Sequence, residues 1–184
     1  WNPRCTEKAR IYRGLGDIAL EEGDSQKALD YYAQYEREAL QSVALGVVKV
    51  RKAEIYADLG QKERARAELE SVLETPGVTA ESKANSLMKI GELYAGDGEH
   101  EKAIVYFERV YVAYGKFGEV NAKAYWGRGQ SLEALDLKKE ALETYEELVA
   151  RDDLSRYDEV TLAEEKVTKL RRFLPVEKVE AEEG

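Results

Sequence analysis

Histidine and cysteine are nearly absent from this chain of 184 residues, which has one of each, His100 and Cys5. His100 falls in a turn and is expected to face solvent, so neither a catalytic triad nor a histidine-rich metal site is expected. Cys5 cannot form an internal disulfide. With no histidine or basic cluster placed beside it, Cys5 reads as a spectator thiol, not a nucleophile. No run of about 18 apolar residues occurs, so no membrane-spanning helix is expected. Basic residues are the scarcer charge, 28 against 37 acidic ones, for a net charge of −9. Nucleic acid and anionic membrane surfaces both require a basic face and are poor partners for such a chain. No signal peptide is visible. The chain opens at Trp1 without a methionine, as a fragment or mature product would.

The glycines are few, but their positions carry information. The stretch Leu87–Tyr114 reads as one helix–turn–helix. Leu87, Ile90, Gly91 and Tyr94 recur at helical spacing on one face. Gly96, Asp97 and Gly98 then stop the helix. Ala103, Phe107, Val110 and Tyr114 form the face of a second helix. Gly91 and Ala103 are the small residues at which two antiparallel helices would nearly touch, with Tyr94 and Phe107 filling the space beside them. A bulky residue at either small site would force the helices apart.

The pattern repeats. Tyr125, Gly129, Leu132, Ala141, Tyr145 and Leu148 match it 38 residues later. Lys49, Ala53, Tyr56, Gly60, Ala65, Leu69 and Val72 form a weaker copy 38 residues earlier, with Lys49 where an aromatic is expected. Tyr12, Leu15, Gly16, Gly23, Ala28, Tyr32 and Tyr35 form another copy 37 residues before that. A fixed period of this size signals stacked supersecondary units. These residues resemble the tetratricopeptide repeat, with its Leu-Gly and Tyr on a first helix and Ala and Phe on a second. The resemblance covers roughly Lys8 to Val149. It implies an all-α, right-handed α-solenoid of stacked antiparallel helix pairs. The spacing exceeds the usual 34 by about one helical turn. In this the repeats are similar to those of bacterial cell-envelope proteins such as the lipoprotein of the outer-membrane barrel-assembly machine and the periplasmic coordinator of the Tol–Pal system. That similarity leaves both the periplasm or cell envelope and the cytoplasm open.

The expected organisation is a lead-in over 1–7, repeats over 8–42, 43–78, 79–117 and 118–154, a capping helix over 155–174 and an acidic disordered tail over 175–184. Pro3 suits entry into the first helix. A break near Gln41–Ser42 is required between the first two repeats. Asp136 replaces the turn glycine of the fourth repeat, since aspartate tolerates the left-handed region better than most residues. Val160, Ala163, Val167, Leu170 and Leu174 give the cap an apolar face. A charged opposite face, as a solenoid end requires, completes it.

Motifs for chemistry are lacking. Gly14-Leu15-Gly16 and Gly127-Arg128-Gly129 imitate the start of a phosphate loop, but each lies inside a helical pattern with no preceding strand. Asp152-Asp153 and Glu146-Glu147 lack the alternating oxygen ligands of a cation loop. No catalytic residue, cofactor or metal is expected.

Stacked helix pairs present the first helix of each pair on a concave side. Repeat register places Arg13, Val50, Met88 and Trp126 in one lane of that face. Asp17, Glu54, Glu92 and Gln130 form a second lane one turn along. The expected function is a non-catalytic scaffold that binds a protein or peptide segment in the groove. Met88 and Trp126 would anchor apolar side chains. Glu54, Glu92 and Glu133 would attract basic ones. The acidic lane argues against a chaperone-type clamp for a C-terminal carboxylate. The alternatives are a homo-oligomerising module held by its open first repeat, and a regulatory or assembly arm of a larger protein.

Overall fold

The computed structural model describes residues 3–39 and 43–173. Nine α-helices and one 3₁₀ turn occur among these residues, with no strand. They are α1 (Pro3–Glu21), α2 (Ser25–Glu38), α3 (Leu45–Asp58), α4 (Lys62–Glu74) and α5 (Ala80–Gly96). After these come α6 (His100–Tyr114), α7 (Gly118–Ala134), α8 (Lys138–Val149), the 3₁₀ turn Asp152–Leu154 and α9 (Asp158–Phe173). The chain divides into two compact units, one ending at Leu93 and the other starting at Tyr94. The break required near Gln41–Ser42, the acidic tail and Leu174 lie outside the described residues.

One turn is used four times. Gly23, Gly60, Gly98 and Asp136 all adopt positive φ, at 80°, 73°, 78° and 60°. In each turn the next amide donates five residues back to the helix just ended. These bonds run Asp24 N to Ala19 O, Gln61 N to Tyr56 O, Glu99 N to Tyr94 O and Leu137 N to Leu132 O, at 2.7–2.9 Å. That closure satisfies the orphan carbonyls of the helix end and needs a left-handed residue, which explains the glycines and the aspartate. The carbonyl of the same amide's residue then accepts from Ala28, Ala65, Ala103 or Ala141, which starts the second helix. All four alanines are fully buried. Gly96 is the last residue of α5, so Gly98 alone turns the chain there. Asp24 additionally caps α2 by accepting from Lys27 N at 3.0 Å.

Within a hairpin, a ring sits where a first-helix side chain would be. A Cβ added to Gly16 would lie 2.5 Å from the Tyr32 ring, and one added to Gly129 would lie 2.3 Å from the Tyr145 ring. The small residue therefore receives an aromatic from the second helix as well as allowing the backbones to approach. The second hairpin keeps the same volume with different parts. Ala53 replaces the glycine, Leu69 replaces the ring, and both are 1% exposed. Leu69 is smaller than a tyrosine by about the space that the extra Cβ takes.

The first unit also encloses charge. Lys52 of α3 is 7% exposed and donates to Glu36 of α2 at 2.9 Å and Glu68 of α4 at 2.7 Å. Lys49 lies 3.8 Å and 3.9 Å from the same two carboxylates and donates to Ser71 at 2.9 Å. The lysine found in place of an aromatic thus joins a polar cluster that ties three helices together. Burial would lower the pKa of Lys52, but the hydrogen bonds to Glu68 and Glu36 outweigh it and raise it.

In the second unit, α9 packs on α8 and α7. It buries Val160, Ala163 and Leu170, while Leu162, Glu164, Glu165, Lys169 and Arg172 remain exposed. Lys166 and Arg171 reach back to Glu133 and Glu146 at 2.6 Å and 2.7 Å. Leu154 is fully buried, and Tyr157 fills the space a Cβ on Gly118 would take. Tyr111 and Tyr125 stack at 4.2 Å. Burial and a hydrogen bond to Asp17 push the Tyr32 phenol up to about 12. Burial raises Tyr145 and Tyr111 further.

Two measurements test this packing. Gly129→Ala is expected to destabilise by about 1–3 kcal/mol through overpacking against Tyr145. Gly14→Ala, whose Cβ meets nothing, is expected to stabilise by up to about 1 kcal/mol. Urea unfolding of the two variants checks both signs. The second test is alkaline. Tyr32, Tyr145, Tyr111 and Lys52 all have folded pKa values raised above their ordinary ones. Their stabilisation is complete below about pH 10, where the unfolded phenols hold their protons. It is lost as pH rises through the folded values. The urea midpoint is expected to be flat from pH 8 to 9.5 and to fall between pH 10 and 12, together with tyrosinate absorbance. A midpoint that rises over that range would contradict the assignment.

Candidate partner-binding surface

In the first unit, the first helices α3 and α5 and the second helix α4 border an open cleft of about 250 Å³. Its apolar lining is Ala53, Ala57, Leu69 and Leu93. Its polar lining is Glu54, Asp58, Lys89 and Glu92. The periodicity of α3 and α5 produces this division. Ala53, Ala57 and Leu93 fall on helix faces turned toward the hairpin core, and the charged residues fall one step round toward water. Three carboxylates against one ammonium give the rim a negative balance. Glu54 accepts from Lys89 at 2.7 Å, and both side chains are more than one-third exposed, so this pair contributes little stability.

The structure brings Glu54 and Glu92 to the same cleft. Asp17 accepts hydrogen bonds from the Tyr32 hydroxyl at 2.7 Å and from Arg51. Its charge is therefore engaged within the protein. Asp17 and Glu54 occupy the same register, as do Arg51 and Lys89, so the two ion pairs are one repeated contact from a first helix to the next first helix. Arg13 and Val50 are half-buried. Met88 is 7% exposed, so it is a core residue in this structure and not the exposed anchor expected from its register.

Trp126, Gln130 and Glu133 lie in the second unit, on α7. Trp126 is half-buried. Its ring centroid is 5.4 Å from that of Tyr145, and the Lys166 ammonium lies 6.0 Å over it. Glu133 accepts from the Tyr145 hydroxyl at 2.7 Å and from Lys166 at 2.6 Å. Trp126 and Glu133 thus take part in seating α9, while Gln130 is exposed. Sequence reasoning missed Asp58 and Leu93 as cleft residues and Arg51 as the partner of Asp17. Arg51 and Lys89 were readable as cations in one register 38 residues apart.

His100, expected to face solvent, is half-buried, with Nδ1 shielded and without a hydrogen-bond partner. Asp153 is held by Arg151 at 2.8 Å. Among the described residues no three His, Cys, Asp or Glu side chains are grouped to hold a metal ion, and no helix is long and apolar enough to cross a membrane.

The tetratricopeptide repeat sequence profile matches residues 7–42 and 50–116, and a second profile of the same description matches 123–155. Among curated proteins, none matches the chain. Among solved structures, the 41-end portion of MamA from Desulfovibrio magneticus RS-1 is 20% identical, with a TM-score of 0.63 over 90% of this chain and 94% of that one. A tetratricopeptide repeat protein from Parabacteroides merdae ATCC 43184 is 15% identical, with a TM-score of 0.71 over 91% of this chain and 61% of that one. Pseudomonas aeruginosa pilF is 16% identical, with a TM-score of 0.68 over 92% and 72%. At these identities the likeness is one of fold. Tetratricopeptide repeat proteins generally mediate protein–protein interactions and are typically non-catalytic. With the profile matching more than half of its length and the same all-α fold in these structures, the chain belongs to the tetratricopeptide repeat family.

Proposed function

We propose that this chain is a non-catalytic interaction scaffold whose first-helix faces receive a partner segment carrying basic side chains next to apolar ones. The observation that carries this reading is the cleft of the first unit, with Ala57, Leu69 and Leu93 below and Glu54, Asp58 and Glu92 at the rim. A lysine or arginine can lay its aliphatic stem on such a floor while its cationic head meets the carboxylates. Arg13, Asp17 and Val50 extend the same faces in the first unit. In the second unit, the open part of Trp126, with Gln130 and Glu133, offers a large rigid ring beside polar groups, the usual composition of an interface anchor. Charge of one sign at the rim favours association rate and selectivity.

Selection from a random displayed-peptide library tests this. Wild-type protein is expected to enrich peptides with Lys or Arg beside an aliphatic residue, and their affinity is expected to fall with salt. Asp58→Lys together with Glu92→Lys is expected to weaken those peptides by at least about tenfold with helicity unchanged. Enrichment of acidic or purely apolar peptides, or equal binding by the variant, would overturn the reading.

A further inference from the structure

One face of α6 leaves two valines open to solvent. Val112, at 79%, is the most exposed large hydrophobic among the described residues, and Val105 is 53% exposed. Arg109 lies between them, four residues after one and three before the other, so the three share a face. Lys116, also exposed, follows just past the helix end. Two exposed valines alone are ordinary on a protein surface. Their setting in the repeat is not.

Hairpin packing does not require this stripe. α6 packs through Ala103, Phe107 and Val110, which are 0%, 1% and 0% exposed. The register of Val105, Arg109 and Val112 holds Asp30, Gln34 and Arg37 in the first hairpin. It holds Ala67, Ser71 and Glu74 in the second, and Glu143, Glu147 and Ala150 in the fourth. Valine is also a poorer helix former than most of these, so the pair runs against local preference. The cations beside it are held in place. Arg109 rests 5.3 Å over the Tyr106 ring and Lys116 rests 5.0 Å over the Phe117 ring, which orders each cation without neutralising it. The nearby carboxylates lie on the other flank, where Glu101 is exposed and Glu108 is held by Arg128 at 3.0 Å.

We infer that the α6 face of one copy docks in the acidic cleft of a second copy. Val112 enters against Ala57, Leu69 and Leu93, while Arg109 and Lys116 meet Asp58 and Glu92. The inference rests on the cleft reading above and names a second copy of this chain as the occupant. The stripe and the cleft are different surfaces, so the contact is heterologous and copies link head to tail until the links close. Two chains of net charge −9 repel at a distance. At physiological salt that repulsion is screened beyond about 8 Å, so opposite charges in contact decide the docking.

Sedimentation velocity of the full chain at rising concentration provides the test. The wild type is expected to exceed the mass of one chain. Val112→Ser changes no charge and is expected to weaken association at least about fivefold through lost apolar burial. Arg109→Glu with Val112→Glu is expected to stay a single chain of unchanged helicity. Asp58→Lys with Glu92→Lys is expected to do the same. Mixed together, these two variants are expected to form a one-to-one dimer and nothing larger, since one intact stripe meets one intact cleft. A wild type that stays a single chain up to roughly 1 mM would overturn the inference. So would assembly that survives either double variant, or a mixture that does not associate. Assembly lost on removing residues 175–184 but kept on cleft reversal would assign the stripe to that acidic segment instead. Peptide selection separates this inference from the cleft reading. Basic–aliphatic peptides enriched by a protein that stays a single chain would leave the cleft reading standing and remove the second copy as its occupant.

Discussion

The structure depends on an aromatic or aliphatic side chain of a second helix entering a first helix at a residue with little or no side chain. Gly16 with Tyr32, Gly129 with Tyr145 and Ala53 with Leu69 are three solutions of that one volume constraint. The alanines Ala28, Ala65, Ala103 and Ala141 hold the entry to the second helix at full burial. The left-handed residue ahead of each sets the direction of return. Tyrosine suits this place because its ring fills the site while its hydroxyl, buried with it, finds a carboxylate partner. Tyr32 uses that hydroxyl on Asp17, and Tyr145 uses it on Glu133.

Those hydroxyls connect packing to the polar face. Asp17 and Glu133 each accept from a buried tyrosine and from a cation on the next first helix or the cap, Arg51 or Lys166. Such carboxylates orient neighbouring helices before they can attract a partner. Glu54 is intermediate, since it is tied to Lys89 by an exposed pair that a competing cation could replace. Asp58 and Glu92, both exposed on the cleft rim, complete the acidic surface on which the proposed function rests. The cleft thus gains its chemistry from residues next to the packing layer, and their register is inherited from it.

The hairpins were legible because their signals are local. Glycine or aspartate in the left-handed turn, alanine five residues later and an aromatic or leucine after it recur at a fixed period. The cap was legible for the same reason, from Val160, Ala163 and Leu170 at helical spacing. The candidate site was only partly so. A register gives the lane in which a side chain starts. It does not give what the next helix places against that side chain. Met88 shares a lane with Trp126 yet is buried, and Asp17 shares one with Glu54 yet is held by Tyr32 and Arg51. Lys49 looked like a flaw in the repeat. Only the positions of Glu36 and Glu68 on the two neighbouring helices show it to be part of a charge cluster.

A double-mutant cycle at Gly129 and Tyr145 addresses the central constraint most directly. Gly129→Ala is measured by urea unfolding in the wild-type background and again in a Tyr145→Ala background. If the ring occupies the place of the missing Cβ, the alanine that destabilises the wild type should be neutral or stabilising once the ring is gone. The coupling would then be within the roughly 0.5–3 kcal/mol typical of contacting residues. An equal cost of Gly129→Ala in both backgrounds would mean that the glycine serves the backbone alone, and would contradict the account of how these helices pack.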